Sequence, residues 1–376
     1  MDKNYLMFSY DYPPSEGGIS RLCVAIVDEL IKLNLEVKAL TTVKNTKQGF
    51  TPPDIPEIRV PYKRGIRELV SWRKLLKVPK KTVVIVDVWF PEALIAMLAG
   101  HRNIVVLAHG NDVMKGKETI KNSLLNIARK YVLEHVSLVI CNSQYTQKIV
   151  LDTAPKANTI AIPLGVDELR FFPEKTPLRV RKNFKLPIEK KIILTVSRLN
   201  AYKAHDVVLK AIASLPANIR EQIHYVVAGR GEHLQALIDL SKQLNIYDCV
   251  TWLGFVGEQQ LTELYQAADL FVLCTREEKE AKAVEGFGLV FLEAQATGIP
   301  VIGSNQGGIP DAIDHTNGGF IISRDNITGL AEYFVKLVEQ PEIFEKQGQL
   351  ARDRVVKNCT WQHYGQQVLS AVKKLS

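Results

Sequence analysis

The chain has 376 residues, too many for one ordinary hydrophobic core, so two domains are expected. With 46% hydrophobic and 23% charged residues it is neither a disordered polyelectrolyte nor a membrane-embedded protein, and its most apolar window, Thr82 to Gly100, is interrupted by Asp87, Pro91 and Glu92. Net charge is +8, nearly all of it from the first 170 residues, which hold 24 Lys/Arg against 17 Asp/Glu, so the excess calls for a local explanation. The opening MDKNYLMFSYDYPP has no basic start followed by an apolar run, which predicts no secretory signal. Cys23, Cys141, Cys249, Cys274 and Cys359 are scattered without paired spacing, so neither a disulfide framework nor a zinc site is indicated, and the cytosol is the expected compartment.

Residues 5–9 (YLMFS) predict a first strand. A loop with Pro13, Pro14, Gly17 and Gly18 leads into apolar positions Ile19, Leu22, Cys23, Ile26, Leu30 and Leu33 at helical spacing. Strand, glycine turn and helix can cradle a phosphate, although a tight turn alone explains two glycines equally well. EVKAL, then VVIV (83–86), IVVLAHG (104–110) and LVICNS (138–143) continue the alternation with helical stretches between. That pattern predicts a parallel, doubly wound sheet with ligands at the carboxyl ends of its strands. His109 stands at such an end in HGND, with Asp112 three residues on, and Asn142 and Ser143 close the next strand.

IPLGVDELRFFP (162–173) and the low-propensity stretch to Pro187 suit a linker. A fresh alternation starts at IILTVSRLNAYKAHDVVLKAI, where Arg198 directly follows a strand and Lys203 precedes a helix. HYVVAGRGE (224–232) is a strand ending in a glycine turn around Gly229 and Arg230. VTWLGFV (250–256) and DLFVLCT (269–275) are further strands, and a charged insert, REEKEAKAVEGFG, follows the second.

In VEGFGLVFLEAQATGIPVIGSNQGGIPDAI (284–313), a loop becomes a helix at about Phe287 and ends at Gly298. PVIG forms a strand, and NQGGIP opens another turn. Glu285 and Glu293 have seven residues between them, and Gly288 removes a side chain near the helix start, where unpaired N–H groups can meet an anion. Helices are expected over 326–339, 342–358 and 361–374.

The E-x7-E segment, with the R-x4-K pair Arg198/Lys203, closely resembles retaining nucleotide-sugar glycosyltransferases of family 4, which have the GT-B fold. The resemblance implies an α/β architecture of two Rossmann-like doubly wound domains facing across a cleft. An acceptor domain would run over 1–170 and a nucleotide-sugar domain over 171–358, and a last helix (359–376), begun by Trp361, would return to the first domain. It implies that Arg198 and Lys203 meet the donor diphosphate, with Gly17, Gly18 and, more weakly, Arg21 approaching it. Gly229 and Arg230 would add a turn beside it, and Phe255 and Val256 would flank the base. Glu293 would bind the ribose, and Glu285, with Gly286, Phe287, Gly288, Leu289 and Val290, the sugar. His109 would contact the transferred sugar from the acceptor side, with Asp112 and Asn142 nearby. The pattern lacks a DxD-type carboxylate pair, so neither metal nor cofactor is expected; the charges and helix dipole serve the diphosphate instead.

UDP-glucose is the favoured donor, ahead of UDP-N-acetylglucosamine, with GDP-mannose as runner-up. A lipid-linked or growing polysaccharide of the cell envelope is the expected acceptor, by analogy with the family. A sugar-nucleotide epimerase would lack these motifs, and a dehydrogenase would want GxGxxG after the first strand, where this chain has EGGIS. A non-catalytic sugar-nucleotide-binding module is the remaining alternative. Tyr62–Lys81 concentrates the charge excess, with eight basic residues against Glu68, and Leu69, Trp72 and Leu76 recur there at helical spacing. Either a core-packed helix with a solvated basic face or a docking surface for anionic lipid explains it, the latter placing the protein peripherally on the inner face of a membrane. Nucleic acid is not expected, because aromatics are not interleaved.

Overall fold

The computed structural model describes residues 4–13, 18–43, 53–114, 120–173, 177–278 and 283–375. It divides into two compact units, the first comprising residues up to Gly165 together with Trp361–Ser376, the second Val166–Glu278 and Ala283–Thr360.

Unit 1 holds seven parallel strands: β1 (Tyr5–Phe8), β2 (Val37–Thr42), β3 (Glu57–Val60), β4 (Val83–Val86), β5 (Ile104–Ala108), β6 (Leu138–Cys141) and β7 (Thr159–Ala161). Their order is β3-β2-β1-β4-β5-β6-β7, so the winding reverses between β1 and β4. β1, β4, β5 and β6 are buried along their whole length, as the continuous apolar runs of a sheet covered on both faces require. The helix Gly18–Lys32 packs against the last helix, Trp361–Lys373, and Gly365 allows the approach: a Cβ there would lie 2.5 Å from Glu29 Cγ and 2.8 Å from the Ala25 carbonyl oxygen.

Unit 2 holds six parallel strands: β8 (Lys191–Val196), β9 (Ile223–Ala228), β10 (Val250–Gly254), β11 (Leu270–Leu273), β12 (Val301–Ser304) and β13 (Gly319–Ile322). The order is β10-β9-β8-β11-β12-β13, reversing between β8 and β11. The stretch read as linker is not one: Pro177–Asn183 is a helix. Arg181 anchors it, donating from Nε to the Ala267 carbonyl at 2.9 Å and from an Nη to Asp269 at 2.6 Å. Three of its seven residues are charged and its buried anchors are the Arg181 guanidinium and Val180, a pattern that periodicity does not reveal.

The basic window folds into the helix Ile66–Leu75, turned opposite to a core-packed reading of its apolar stripe. Ser71 and Leu75 face inward, and the Tyr10 hydroxyl donates to Ser71 Oγ at 2.9 Å. Leu69, Trp72 and Leu76 are 48%, 36% and 47% exposed. Glu68, the lone acid, is taken by Arg67 and by the backbone N–H of Gly65 at the helix start. No described helix is long and apolar enough to cross a membrane.

Candidate active site

In unit 2 the candidate donor residues gather at the carboxyl ends of β8, β9 and β10 and at the start of the helix Leu289–Ala296. Two ladder-like bonds fix the chain after β8, from Ser197 N to the Ala228 carbonyl at 3.0 Å and from Leu199 N to the Arg230 carbonyl at 2.9 Å. Gly229 makes this approach possible: its φ is +144°, and a Cβ would fall 1.8 Å from the Ser197 carbonyl oxygen. Arg198, between the two anchors, is exposed. The Arg230 guanidinium lies over the Phe255 ring, 5.5 Å from its centroid, and Phe255 is 65% exposed beside the half-buried Val256. An open aromatic face of this kind is suited to stacking on a planar ring.

Lys203 sits in a short turn, Ala201–Lys203, buried, with its ammonium paired to Glu285 Oε2. Burial works against its charge, the Glu285 carboxylate outweighs that, and the lysine is held above its ordinary range. Next to it His205 is buried and pushed down to about 3 by desolvation, then by the Lys203 charge, so the imidazole is neutral. It bridges Ser197 Oγ at 2.9 Å and the Tyr225 hydroxyl at 3.2 Å, which ties the Arg198 turn to the sheet core.

The Glu285 loop is held from behind. Gly308 N donates to the Glu285 carbonyl at 2.8 Å, so the NQGG turn fixes the backbone that carries this carboxylate. The helix starts at Leu289, two residues later than periodicity suggests, because Gly288 occupies the preceding position at φ +91°. Gly286, Phe287 and Gly288 are buried, and Leu289 and Val290 are half-buried. Glu293 is 5% exposed, and its Oε2 accepts a hydrogen bond from the Tyr265 hydroxyl at 2.8 Å.

In unit 1, Gly17 lies outside the described residues, while Gly18 opens its helix and is exposed; Arg21 is half-buried one turn on. His109 follows β5. Its Nε2–H donates to the Asp87 carbonyl at 2.8 Å. Asp112 Oδ1 accepts from His109 N at 2.9 Å, and the Asn142 amide donates to the His109 carbonyl at 3.1 Å. Both therefore frame the histidine backbone. Asp112 is read less well as a base than as this support, and burial pushes its carboxyl up.

Sequence reading passed over three buried groups beside His109. Ser9 Oγ donates to Asp87 Oδ2 at 2.6 Å, while Asp87 Oδ1 and Glu92 Oε2 have no hydrogen-bond partner. Burial pushes Asp87 up to about 7 and Glu92 well above the carboxylate range. The available signal was a carboxylate placed directly after VVIV, at the carboxyl end of a buried strand. Among the described residues, no group of three or more His, Cys, Asp and Glu is arranged to hold a metal ion.

Two family models match in tandem, Glycosyltransferase Family 4 over residues 16–170 and Glycosyl transferases group 1 over residues 179–354. A GDP-mannose-dependent alpha-(1-6)-phosphatidylinositol monomannoside mannosyltransferase of Mycobacterium tuberculosis is 27% identical, over 95% of this chain and 94% of the relative. N-acetyl-alpha-D-glucosaminyl L-malate synthase of Bacillus anthracis is 29% identical over 70% of this chain and 67% of its own. The HepE protein of Anabaena, solved in complex with UDP, superimposes with a TM-score of 0.78 at 18% identity, covering 99% of this chain and all of its own. These matches and the two parallel sheets define a nucleotide-sugar glycosyltransferase of GT-B fold. The chain belongs to glycosyltransferase family 4.

Proposed function

We propose that the protein is a retaining, metal-independent hexosyltransferase that takes its sugar from a nucleotide diphosphate and gives it to a lipid-linked or polysaccharide acceptor. The observation that carries this reading is the meeting of Lys203 and Glu285, 82 positions apart, in one ion pair in front of the helix that begins at Leu289. Arg198, Lys203 and the free N–H groups of that helix start supply positive charge for the leaving diphosphate. Glu285 supplies acceptors for sugar hydroxyls, and Glu293 is the candidate for the ribose. No covalent nucleophile is assigned: the leaving phosphate assists deprotonation of the acceptor hydroxyl on the same face of the sugar. His109 is the proposed sugar-contacting residue of unit 1.

Sequence alone ranks UDP-glucose ahead of GDP-mannose. The mycobacterial relative, matched over nearly its whole length, weighs toward GDP-mannose, and UDP-glucose becomes the second reading, favoured by the fold neighbour's bound UDP. Thermal shift and nucleotide release with GDP-mannose, UDP-glucose and UDP-N-acetylglucosamine test this, since at equal concentration the tighter ligand stabilises more. GDP-mannose is expected to give the largest rise in melting temperature and to turn over unchanged in EDTA. Binding of none of the three removes the transferase reading; strict dependence on an added divalent ion removes the metal-free mechanism.

The outward face of the helix Ile66–Leu75 supports peripheral attachment to an anionic lipid surface on the cytoplasmic side. Ile66, Leu69, Trp72 and Leu76 stand exposed among Arg73 and Lys77, and Glu68 is already paired. Each basic residue near an anionic surface contributes about 1 kcal/mol, screened by salt. The protein is expected to co-sediment with anionic vesicles at low salt and to leave them by about 0.5 M salt, where screening acts within a few Å. Changing Arg73, Lys74, Lys77 and Lys81 to Ser is expected to abolish sedimentation while donor hydrolysis persists. Wild-type protein that ignores such vesicles at low salt removes the membrane reading.

A further inference from the structure

Unit 1 has a second concavity at the end of its sheet opposite to His109 and Gly18. A cavity of about 320 Å³ opens at the amino ends of β1 and β2, beneath the C-terminal end of the helix Ile66–Leu75. Ligands of doubly wound sheets are expected at the carboxyl ends, so the glycosyl-transfer reading leaves this space unexplained.

Its lining has two parts. Tyr5, Leu6, Ile58, Val78 and Pro79 make an apolar wall, and Lys38, Lys74 and Lys77 contribute three basic side chains against the single acidic one of Glu36. Lys38 is the informative one. It pairs in register with Leu6 on β1, and two residues along β2 Leu40 is fully buried, so Lys38 takes a place on the helix-covered side where a buried parallel strand calls for an apolar residue. Its ammonium is 3.7 Å from Glu36, both side chains about half exposed, a weak pair that leaves its charge available. Thr82 closes the cavity. It is 3% exposed, and its Oγ1 is buried with no hydrogen-bond partner.

We propose that this cavity is a binding site for a phosphate monoester bearing an apolar group, separate from the donor residues of unit 2 and from His109. The ammonium groups take the phosphate charge as point cations, and the Tyr5–Ile58–Pro79 wall covers the first carbons of the apolar group. The volume is at the small end of the roughly 300–1,000 Å³ of small-molecule sites, which fits a head and a few methylenes and not a whole lipid.

Hexyl phosphate is the probe, titrated calorimetrically into the full chain, with inorganic phosphate and hexanol as separate controls. Hexyl phosphate is expected to bind at least tenfold more tightly than either control. Lys38→Met is expected to weaken it by tenfold or more. Thr82→Val should leave binding unchanged while melting stays level or rises, because the substitution removes an unsatisfied buried hydroxyl that does not reach the cavity. Phosphatidate vesicles that compete with hexyl phosphate identify a lipid headgroup as the source; failure to compete identifies a free monoester, and either result keeps the site. No binding of hexyl phosphate, equal binding of the controls, or unchanged binding in Lys38→Met overturns it. Lys74 and Lys77 belong both to the cavity and to the vesicle-binding face, so Lys38→Met, at a residue the four serine substitutions leave intact, is the variant that separates the two ideas: it should weaken hexyl phosphate and leave vesicle sedimentation unchanged.

Discussion

Replacing Lys203 by Ala is expected to lower sugar transfer by about two orders of magnitude or more, and Arg198→Ala to do the same. The two variants differ in the cost to the fold. Arg198 is exposed and has no ion pair with a described carboxylate, so its removal should leave the melting temperature unchanged. Lys203 is buried against Glu285, and its loss strands a mostly buried carboxylate, which destabilises by up to about 3 kcal/mol. Lys203→Ala combined with Glu285→Gln should recover most of that stability and none of the turnover. Full activity in both single variants removes the diphosphate assignment. An Arg198→Ala variant that melts early shows that the arginine holds its turn together.

The two glutamates are expected to separate on free nucleotide. Glu293→Gln should weaken the free nucleoside diphosphate and the whole donor alike by tenfold or more, because the ribose is common to both. Glu285→Ala should weaken the sugar-bearing donor, or its turnover, and spare the free nucleotide. Gln is chosen at 293 because Glu293 accepts a hydrogen bond from the Tyr265 hydroxyl, which an amide oxygen can still accept and Ala cannot. Calorimetry with the free diphosphate and with the intact donor reads both effects. Equal loss of free nucleotide in Glu285→Ala and Glu293→Gln contradicts the division of roles.

The inner strands were legible, and of the edge strands only β10 was, as VTWLGFV. β1, β4, β5 and β6 are covered on both faces and show as unbroken apolar runs. β3, β7 and β13 went unread; each is an edge strand of only three or four residues with half-exposed positions, so neither an apolar run nor a clean alternation marks it. Tyr62–Lys81 was legible as a helix but not in orientation, which depends on a hydrogen bond from Tyr10, 61 positions before Ser71. At the site, Arg198, Lys203, Glu285 and Glu293 are visible because their local spacing is informative. Asp87, Glu92 and Ser9 acquire meaning only where β1, β4 and β5 end side by side, and the Tyr265 contact to Glu293 joins helices that the chain keeps apart.

The pairing of the helices Gly18–Lys32 and Trp361–Lys373 has a consequence for the order of events at the ribosome. Unit 1 is not closed by its own first 165 residues: Tyr364, Val368, Leu369 and Val372 are buried in its last helix, and they are translated only after all of unit 2. At the usual pace of synthesis that wait is roughly ten to forty seconds, during which the apolar side of Gly18–Lys32 lacks its partner. A nascent chain in this interval resembles a C-terminally truncated one, and both present the same uncovered helix to chaperones and proteases.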